Sequence, residues 1–138
     1  MQNSFLTYLI ILFIAGSACS CSLIERSPDY AYKVYNNTSS AIAVKATLAS
    51  PYIIGNTEIT EFIGSKDSKT LWIESGEKGE TVIDYEKDGA TISAFKVINV
   101  RKDDLPTFKN YLESKRWIYK KENMYRASYT LTVDENDF

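Results

Sequence analysis

The sequence predicts an all-β fold, an antiparallel sandwich of seven to eight short strands with one short helix near residues 104–114. Three observations predict it. Apolar and polar residues alternate over several short segments, turn residues recur about every 8–12 positions, and helices do not alternate regularly with the strands. A parallel sheet, which needs long crossover connections between its strands, is therefore not expected.

The first two strands have the clearest pattern. Tyr30, Tyr32 and Val34 fall on one face of a segment that ends at the turn-forming residues 36–40. The next segment, 41–48, alternates strictly, and its apolar face carries Ile42, Val44, Ala46 and Leu48. Both segments are predicted to be strands with one buried face.

The middle of the chain predicts up to four further strands. They are a short edge strand near 59–63 and strands at 70–74, 80–86 and 91–100. The last two are joined by Lys87-Asp88-Gly89, which is typical of a hairpin turn. In 70–74, alternation places Leu71 and Ile73 on one side and Thr70 and Trp72 on the other.

One segment has the spacing of a helix. In Asp103-Asp104-Leu105-Pro106 an aspartate is suited to the N-cap and the proline to the first turn. Leu105, Phe108, Tyr111 and Leu112 then follow at helical intervals. The sequence favours two to three helical turns here, and an irregular crossover is the alternative.

Residues 117–121 and 125–133 predict a closing pair of strands around a turn near Glu122-Asn123. The core face of the last strand comprises Tyr125, Ala127, Tyr129, Leu131 and Val133, and its other face comprises Arg126, Ser128, Thr130 and Thr132, expected to meet solvent. Trp117 is expected in the core. The strand number and spacing indicate an immunoglobulin-like sandwich, although no internal cysteine pair marks an antibody-type domain.

The N-terminal segment has the layout of a secretory signal. Phe5–Ala18 carries no charge, ends in the small residues Gly16-Ser17-Ala18, and is followed directly by Cys19. As a helix it would span roughly 21 Å, short of the ~30 Å hydrocarbon core of a bilayer. A lipoprotein signal peptide is therefore favoured, and the alternatives are an ordinary cleaved signal and an uncleaved anchor or core helix.

Both cysteines of the chain, Cys19 and Cys21, follow this segment directly. Two cysteines so close in sequence are poorly placed for a disulfide, and a zinc site is disfavoured because the chain has no histidine. Lipid attachment explains their position best, with Cys19 preferred and Cys21 as the fallback. The predicted organisation is a signal peptide at 1–18, a lipidated N-terminus and spacer at 19–29, and a β-sandwich domain at 30–138.

Several of these features together resemble the small lipoproteins of Bacteroidetes. They are the lipobox-like Cys19, the Tyr-rich first strand ending in Asn36-Asn37-Thr38, the Gly76-Glu77 turn, and the C-terminal run 129–134. The resemblance implies a compact β-sandwich of unknown function, anchored by a covalent lipid to the outer membrane. Whether the domain faces the periplasm or the outer surface stays open.

The residues indicate no catalytic chemistry. The absence of histidine removes the usual general base and metal ligand. A net charge of −2 does not indicate the basic surface that binds nucleic acid. No enzyme activity, metal or cofactor is expected. The sequence therefore predicts a non-enzymatic interaction or structural module of the cell envelope, with another envelope protein or a glycan as its partner.

A surplus of aromatic residues supports an alternative function. Trp72 shares a predicted face with Thr70 and Glu74, and Tyr85 lies in a nearby predicted strand. If these rings are exposed, Trp72 and Tyr85 could bind a glycan at the cell surface. The competing interpretation is that Trp72 packs beneath a loop or the predicted helix.

Overall fold

The computed structural model describes residues 26–49, 57–87 and 89–138. These residues form eight strands: β1 (Asp29–Asn36), β2 (Ile42–Leu48), β3 (Glu58–Ile63), β4 (Ser68–Ser75), β5 (Phe95–Lys102), β6 (Leu105–Pro106), β7 (Trp117–Asn123) and β8 (Arg126–Val133). The predicted signal peptide, Cys19, Cys21 and Asp88 lie outside the described residues. The all-β expectation is confirmed.

The strands make two sheets of four, in the orders β4-β1-β8-β7 and β3-β2-β5-β6. Every neighbouring pair is antiparallel except β1 and β8, which run parallel, with Tyr32 opposite Tyr129. The first and last strands of the domain are thus direct neighbours at the centre of one sheet.

Both sheets contribute side chains to one hydrophobic core. The predicted apolar faces of β1 and β2 are buried. Aromatic rings connect the sheets: the centroid of the Tyr32 ring lies 5.4 Å from that of Phe95, and Phe95 stacks on Trp117 at 6.1 Å. Burial of this apolar surface is the main term that holds the two sheets together.

The helix predicted near 104–114 is wrong. Asp103 and Asp104 adopt φ of 46° and 65°, and Lys102 pairs with Leu105 across them. These are the backbone angles of a two-residue hairpin turn, so the aspartates turn β5 into β6 instead of capping a helix. Pro106 pairs with Arg101 on the short edge strand, and the only helical turns among the described residues are 3-10 turns at Ser114–Arg116 and Glu135–Asp137.

This turn allows a direct test. Asp104→Gly is expected to raise the free energy of unfolding by about 0.5–1 kcal/mol, because glycine adopts a positive φ without the steric cost that Cβ brings. Asp104→Val should lower it by about 1 kcal/mol or more, since β-branched residues avoid this region. Denaturant unfolding of the two variants would measure both effects, and a change of the same sign in both would contradict the turn geometry.

The strand predicted at 80–86 is also wrong. Residues 80–87 run as a loop, in which Val82 N–H donates to the Met124 carbonyl at 3.0 Å and Ile83 N–H donates to the Tyr30 hydroxyl at 3.2 Å. The alternation of the segment is real, because Val82 and Glu86 are buried, but no neighbouring strand pairs with its backbone. The following strand consequently begins at Phe95 rather than near Thr91.

A β-bulge changes the faces of β4. Tyr32 pairs with Trp72 and Lys33 pairs with Thr70, so Leu71 is an extra residue in the strand. Leu71 is buried, Trp72 is half-buried against the core, and Ile73 is 55% exposed. The expectation that Ile73 shares the buried side of Leu71 is therefore wrong.

The last strand follows its predicted pattern with two exceptions, and the first is Tyr125, which was predicted in the core but lies half-buried in the turn before β8. Ala127, Tyr129, Leu131 and Val133 are buried, as is Trp117 on the paired strand. Ser128 was expected in solvent but is buried. It lies between Ala31 of β1 and Lys120 of β7, where neighbours on both sides cover a short side chain.

Candidate functional site

Phenol rings and carboxylates converge where the first sheet meets the loop 80–87. We call this group the tyrosine–carboxylate cluster; its members are Tyr32 of β1, Glu74 of β4, Tyr129 of β8, and Asp84, Tyr85 and Glu86 of the loop. The strand register brings the first three together, because Tyr32 pairs with both Trp72 and Tyr129 and Glu74 follows Trp72 by two residues.

The Tyr32 hydroxyl is the centre of the cluster. It is hydrogen-bonded to the Tyr85 hydroxyl and lies 3.2 Å from Glu86 Oε1 and 3.4 Å from Glu74 Oε2. The Tyr85 hydroxyl donates to Glu74 Oε2 at 2.7 Å. Since each phenol has a single proton, a consistent arrangement is a chain in which Tyr32 donates to Tyr85 and Tyr85 donates to Glu74.

Glu86 is a carboxylate buried within the fold, with 4% of its surface exposed. Its Oε1 accepts hydrogen bonds from the backbone N–H and the hydroxyl of Ser93, both at 2.9 Å. The Glu86 N–H reaches the Tyr129 hydroxyl at 3.4 Å, and that hydroxyl donates to Asp84 Oδ1 at 3.2 Å. These bonds compensate the loss of water around the carboxylate and fix the loop 80–87 to β8.

Burial raises the pKa of Tyr32, Tyr85 and Tyr129 far above the ordinary value near 10, and neighbouring carboxylates raise the pKa further. All three phenols are therefore neutral across the physiological range. A general base works best with a pKa near the operating pH, so these hydroxyls are suited to hydrogen bonding and poorly suited to proton abstraction.

An open cavity of about 310 Å³ lies beside the cluster. It is lined by Tyr30, Glu74, Ser75, Gly76, Glu77, Glu80, Ile83 and Tyr85. Gly76 is required at its edge, because a Cβ there would lie 2.7 Å from Pro28 Cγ. Carboxylates that accept hydrogen bonds and a partly exposed phenol ring could bind a hydroxyl-rich ligand.

The two residues that the sequence suggested for ligand binding take different places. Tyr85 is 36% exposed and lines the cavity. Trp72 is half-buried, packs against the core and does not line the cavity. The sequence did not single out Glu74 and Glu86, because only the folded loop brings these carboxylates to Tyr32.

Within the described part of the chain, no group of three or more acidic or cysteine side chains is arranged to hold a metal ion. Residues 26–49, 57–87 and 89–138 also contain no helix with the length and hydrophobicity needed to cross a bilayer. Comparison of the chain with known protein families, with characterised proteins and with solved structures finds no match in any of the three.

Proposed function

We propose that this protein is a lipid-anchored cell-envelope protein, attached to the outer membrane through Cys19, whose domain serves as a non-enzymatic interaction or structural module. Its resemblance to the small lipoproteins of Bacteroidetes belongs to the proposal. The immunoglobulin-like assignment of the sandwich is also part of the proposal. Two four-stranded sheets around a common core support it.

The observation that carries the proposal is how firmly the domain holds the chain just after Cys19. The Pro28 carbonyl accepts from Gly76 N–H at 2.8 Å, the Arg26 carbonyl accepts from Gly79 N–H at 3.1 Å, and Asp29 N–H donates to the Tyr125 carbonyl at 2.9 Å. Arg26 is seven residues after Cys19, and an extended chain of that length spans at most about 25 Å. A lipid on Cys19 would keep this end of the domain close to the membrane.

The chemistry of the described residues supports a non-enzymatic role. The chain has no histidine, and its best-defined polar group consists of phenols whose pKa is raised by burial. The hydrogen bonds from Ser93 to the Glu86 carboxylate, and the one from the Glu86 N–H to the Tyr129 hydroxyl, join the loop 80–87 to the core. This arrangement favours a structural role for the tyrosine–carboxylate cluster.

Metabolic labelling with a palmitate analogue tests the anchor. Label on the protein should be lost in Cys19→Ala and retained in Cys21→Ala, which is the matched control. Labelling that persists in Cys19→Ala and disappears in Cys21→Ala would move the modification to the second cysteine. No labelling of the wild-type protein would refute the anchor.

The second candidate is a glycan-binding lipoprotein, for which the sequence suggests Trp72 and Tyr85 and of which only Tyr85 lines the cavity. The cavity beside the tyrosine–carboxylate cluster favours it, because Tyr85 presents a partly exposed ring there next to Glu74, Glu77 and Glu80. A screen of neutral polysaccharides with wild type, Trp72→Ala, Tyr85→Ala and the exposed-site control Ile118→Ala would test it. Saturable binding that is lost in Tyr85→Ala and kept in Ile118→Ala would support this function, loss in Trp72→Ala alone would indicate disturbed core packing, and absence of binding would remove it.

A further inference from the structure

A groove of about 490 Å³ lies on the outer face of the β3-β2-β5-β6 sheet, away from the tyrosine–carboxylate cluster. Ala43 lies at its base and pairs with Phe62 on one side and Arg101 on the other, so a methyl group separates two long side chains. Its wall is the segment 106–109, which is fixed by a hydrogen bond of 3.0 Å from Thr107 N–H to the Val100 carbonyl. The volume is within the range of small-molecule sites, roughly 300–1,000 Å³.

The polar side chains of the groove give it a positive character. They are Lys45, Thr60, Asn99, Arg101, Thr107 and Lys109, and no described residue that lines the groove is acidic. Glu58 on the neighbouring strand forms an ion pair with Lys45 at 3.0 Å, so Arg101 and Lys109 are the cations on which the positive character depends. Arg101 donates to the Asp104 carbonyl at 3.1 Å, which holds its guanidinium at the rim. In a chain of net charge −2, this surface is electrostatically suited to an anion.

The backbone around the groove indicates which kind of anion would bind. Strands β2 and β5 are inner strands, each paired on both sides, so their N–H and C=O groups are already used. An extended peptide that adds a strand needs an unpaired edge, which this face does not offer. Recognition must come from side chains. Phe62, 70% exposed beside Ala43, adds an aromatic ring on the same face.

We propose that this groove binds an anionic saccharide, a sugar chain that carries carboxylate, sulfate or phosphate groups. Arg101 and Lys109 would bind the charged group, Asn99 and the threonines would bind hydroxyls, and Phe62 would stack on a sugar ring. The proposal rests on the role as an interaction module and names the class of its ligand. The site is distinct from the cavity of Tyr85.

Isothermal titration of the full-length chain in detergent, with sulfated dextran and polygalacturonate as probes, tests the groove. Saturable binding of both anionic probes is expected, and neutral dextran should not bind. The double variant Arg101→Gln/Lys109→Gln should lower the affinity by about tenfold or more, because charge-assisted hydrogen bonds are lost. Lys109→Gln alone, which keeps the Arg101 bond to the hairpin, should lower it by about threefold.

The matched control is Lys120→Gln/Lys121→Gln, which removes the same charge from β7 of the other sheet and should change the affinity less than about twofold. Thermal unfolding of each variant establishes that it is folded.

Equal binding of neutral dextran, equal loss in the control, or no binding of either anionic probe would overturn the proposal. Tighter binding of polyglutamate with the same dependence on Arg101 and Lys109 would also overturn it, in favour of an acidic protein. Palmitate labelling is measured separately, so failure here leaves the anchor unaffected.

Discussion

Asn36→Ala is expected to lower the free energy of unfolding by about 3 kcal/mol, a large part of the stability of a domain this size. Asn36 is completely buried at the end of β1. The two protons of its Nδ2 are shared among the carbonyls of Ser40, Ile63 and Gly64, at 2.8, 3.0 and 2.9 Å, and its Oδ1 accepts from Thr38 N–H at 2.9 Å. Alanine would leave buried carbonyl groups without their donor.

Denaturant unfolding of matched variants would measure this effect. Asn36→Asp should be at least as destabilising, because it directs a carboxylate at carbonyl oxygens that need a donor. Asn99→Ala is the control: Asn99 is an exposed asparagine on β5, and its replacement should change stability by about 0.5 kcal/mol or less. Similar losses at positions 36 and 99 would contradict the role of the buried amide.

Raising the pH from about 10 to 12 is expected to unfold the protein cooperatively. Burial raises the pKa of Tyr111 to about 12, and the pKa values of Tyr32 and Tyr129 are raised further. In the unfolded chain these phenols ionise near pH 10, so the folded state binds more protons and stability falls as pH rises. Each phenol costs about 1.4 kcal/mol per pH unit above 10, together about 8 kcal/mol by pH 12, against a total stability of about 5–15 kcal/mol.

Absorbance of tyrosinate and circular dichroism, followed through the same titration, would test this linkage. Part of the absorbance change should coincide with loss of structure, whereas in strong denaturant all ten tyrosines should titrate together near pH 10. Tyr111→Phe should lower the number of protons released on alkaline unfolding by about one, so the free energy of unfolding should fall less steeply with pH. Complete titration of the tyrosines in a protein that keeps its fold would refute the prediction.

The sequence was sufficient for strands in which one face meets the core and the other meets water. In β1 and β2, and in β8 apart from Ser128, the alternation follows directly from burial, and the structure confirms it. The bulge at Leu71 was not predictable, because an inserted residue leaves no mark in the composition of β4. It reverses the faces of Trp72 and Ile73.

Asp103, Asp104 and Pro106 show why the helix prediction failed. Aspartate suits a helix N-cap, and it is also among the residues that tolerate a positive φ in a turn. Proline suits the first turn of a helix, and it also suits an edge strand. The pairing of residues 105–106 with 101–102 selects the hairpin and edge strand over the helix, and that pairing depends on tertiary contacts. The tyrosine–carboxylate cluster was unpredictable for the same reason, since Glu86 meets Tyr32 only when the loop 80–87 is in place.

The parallel pairing of β1 with β8 has a consequence for the order of folding. Asp29 lies opposite Arg126, about a hundred residues later in the chain, so the centre of that sheet cannot close until the last strand is available. Contacts so distant in sequence slow folding, because the loop must be closed before it is stabilised. A nascent chain therefore cannot complete this sheet, or the core that it shares with the other sheet, until its C-terminal strand emerges from the ribosome.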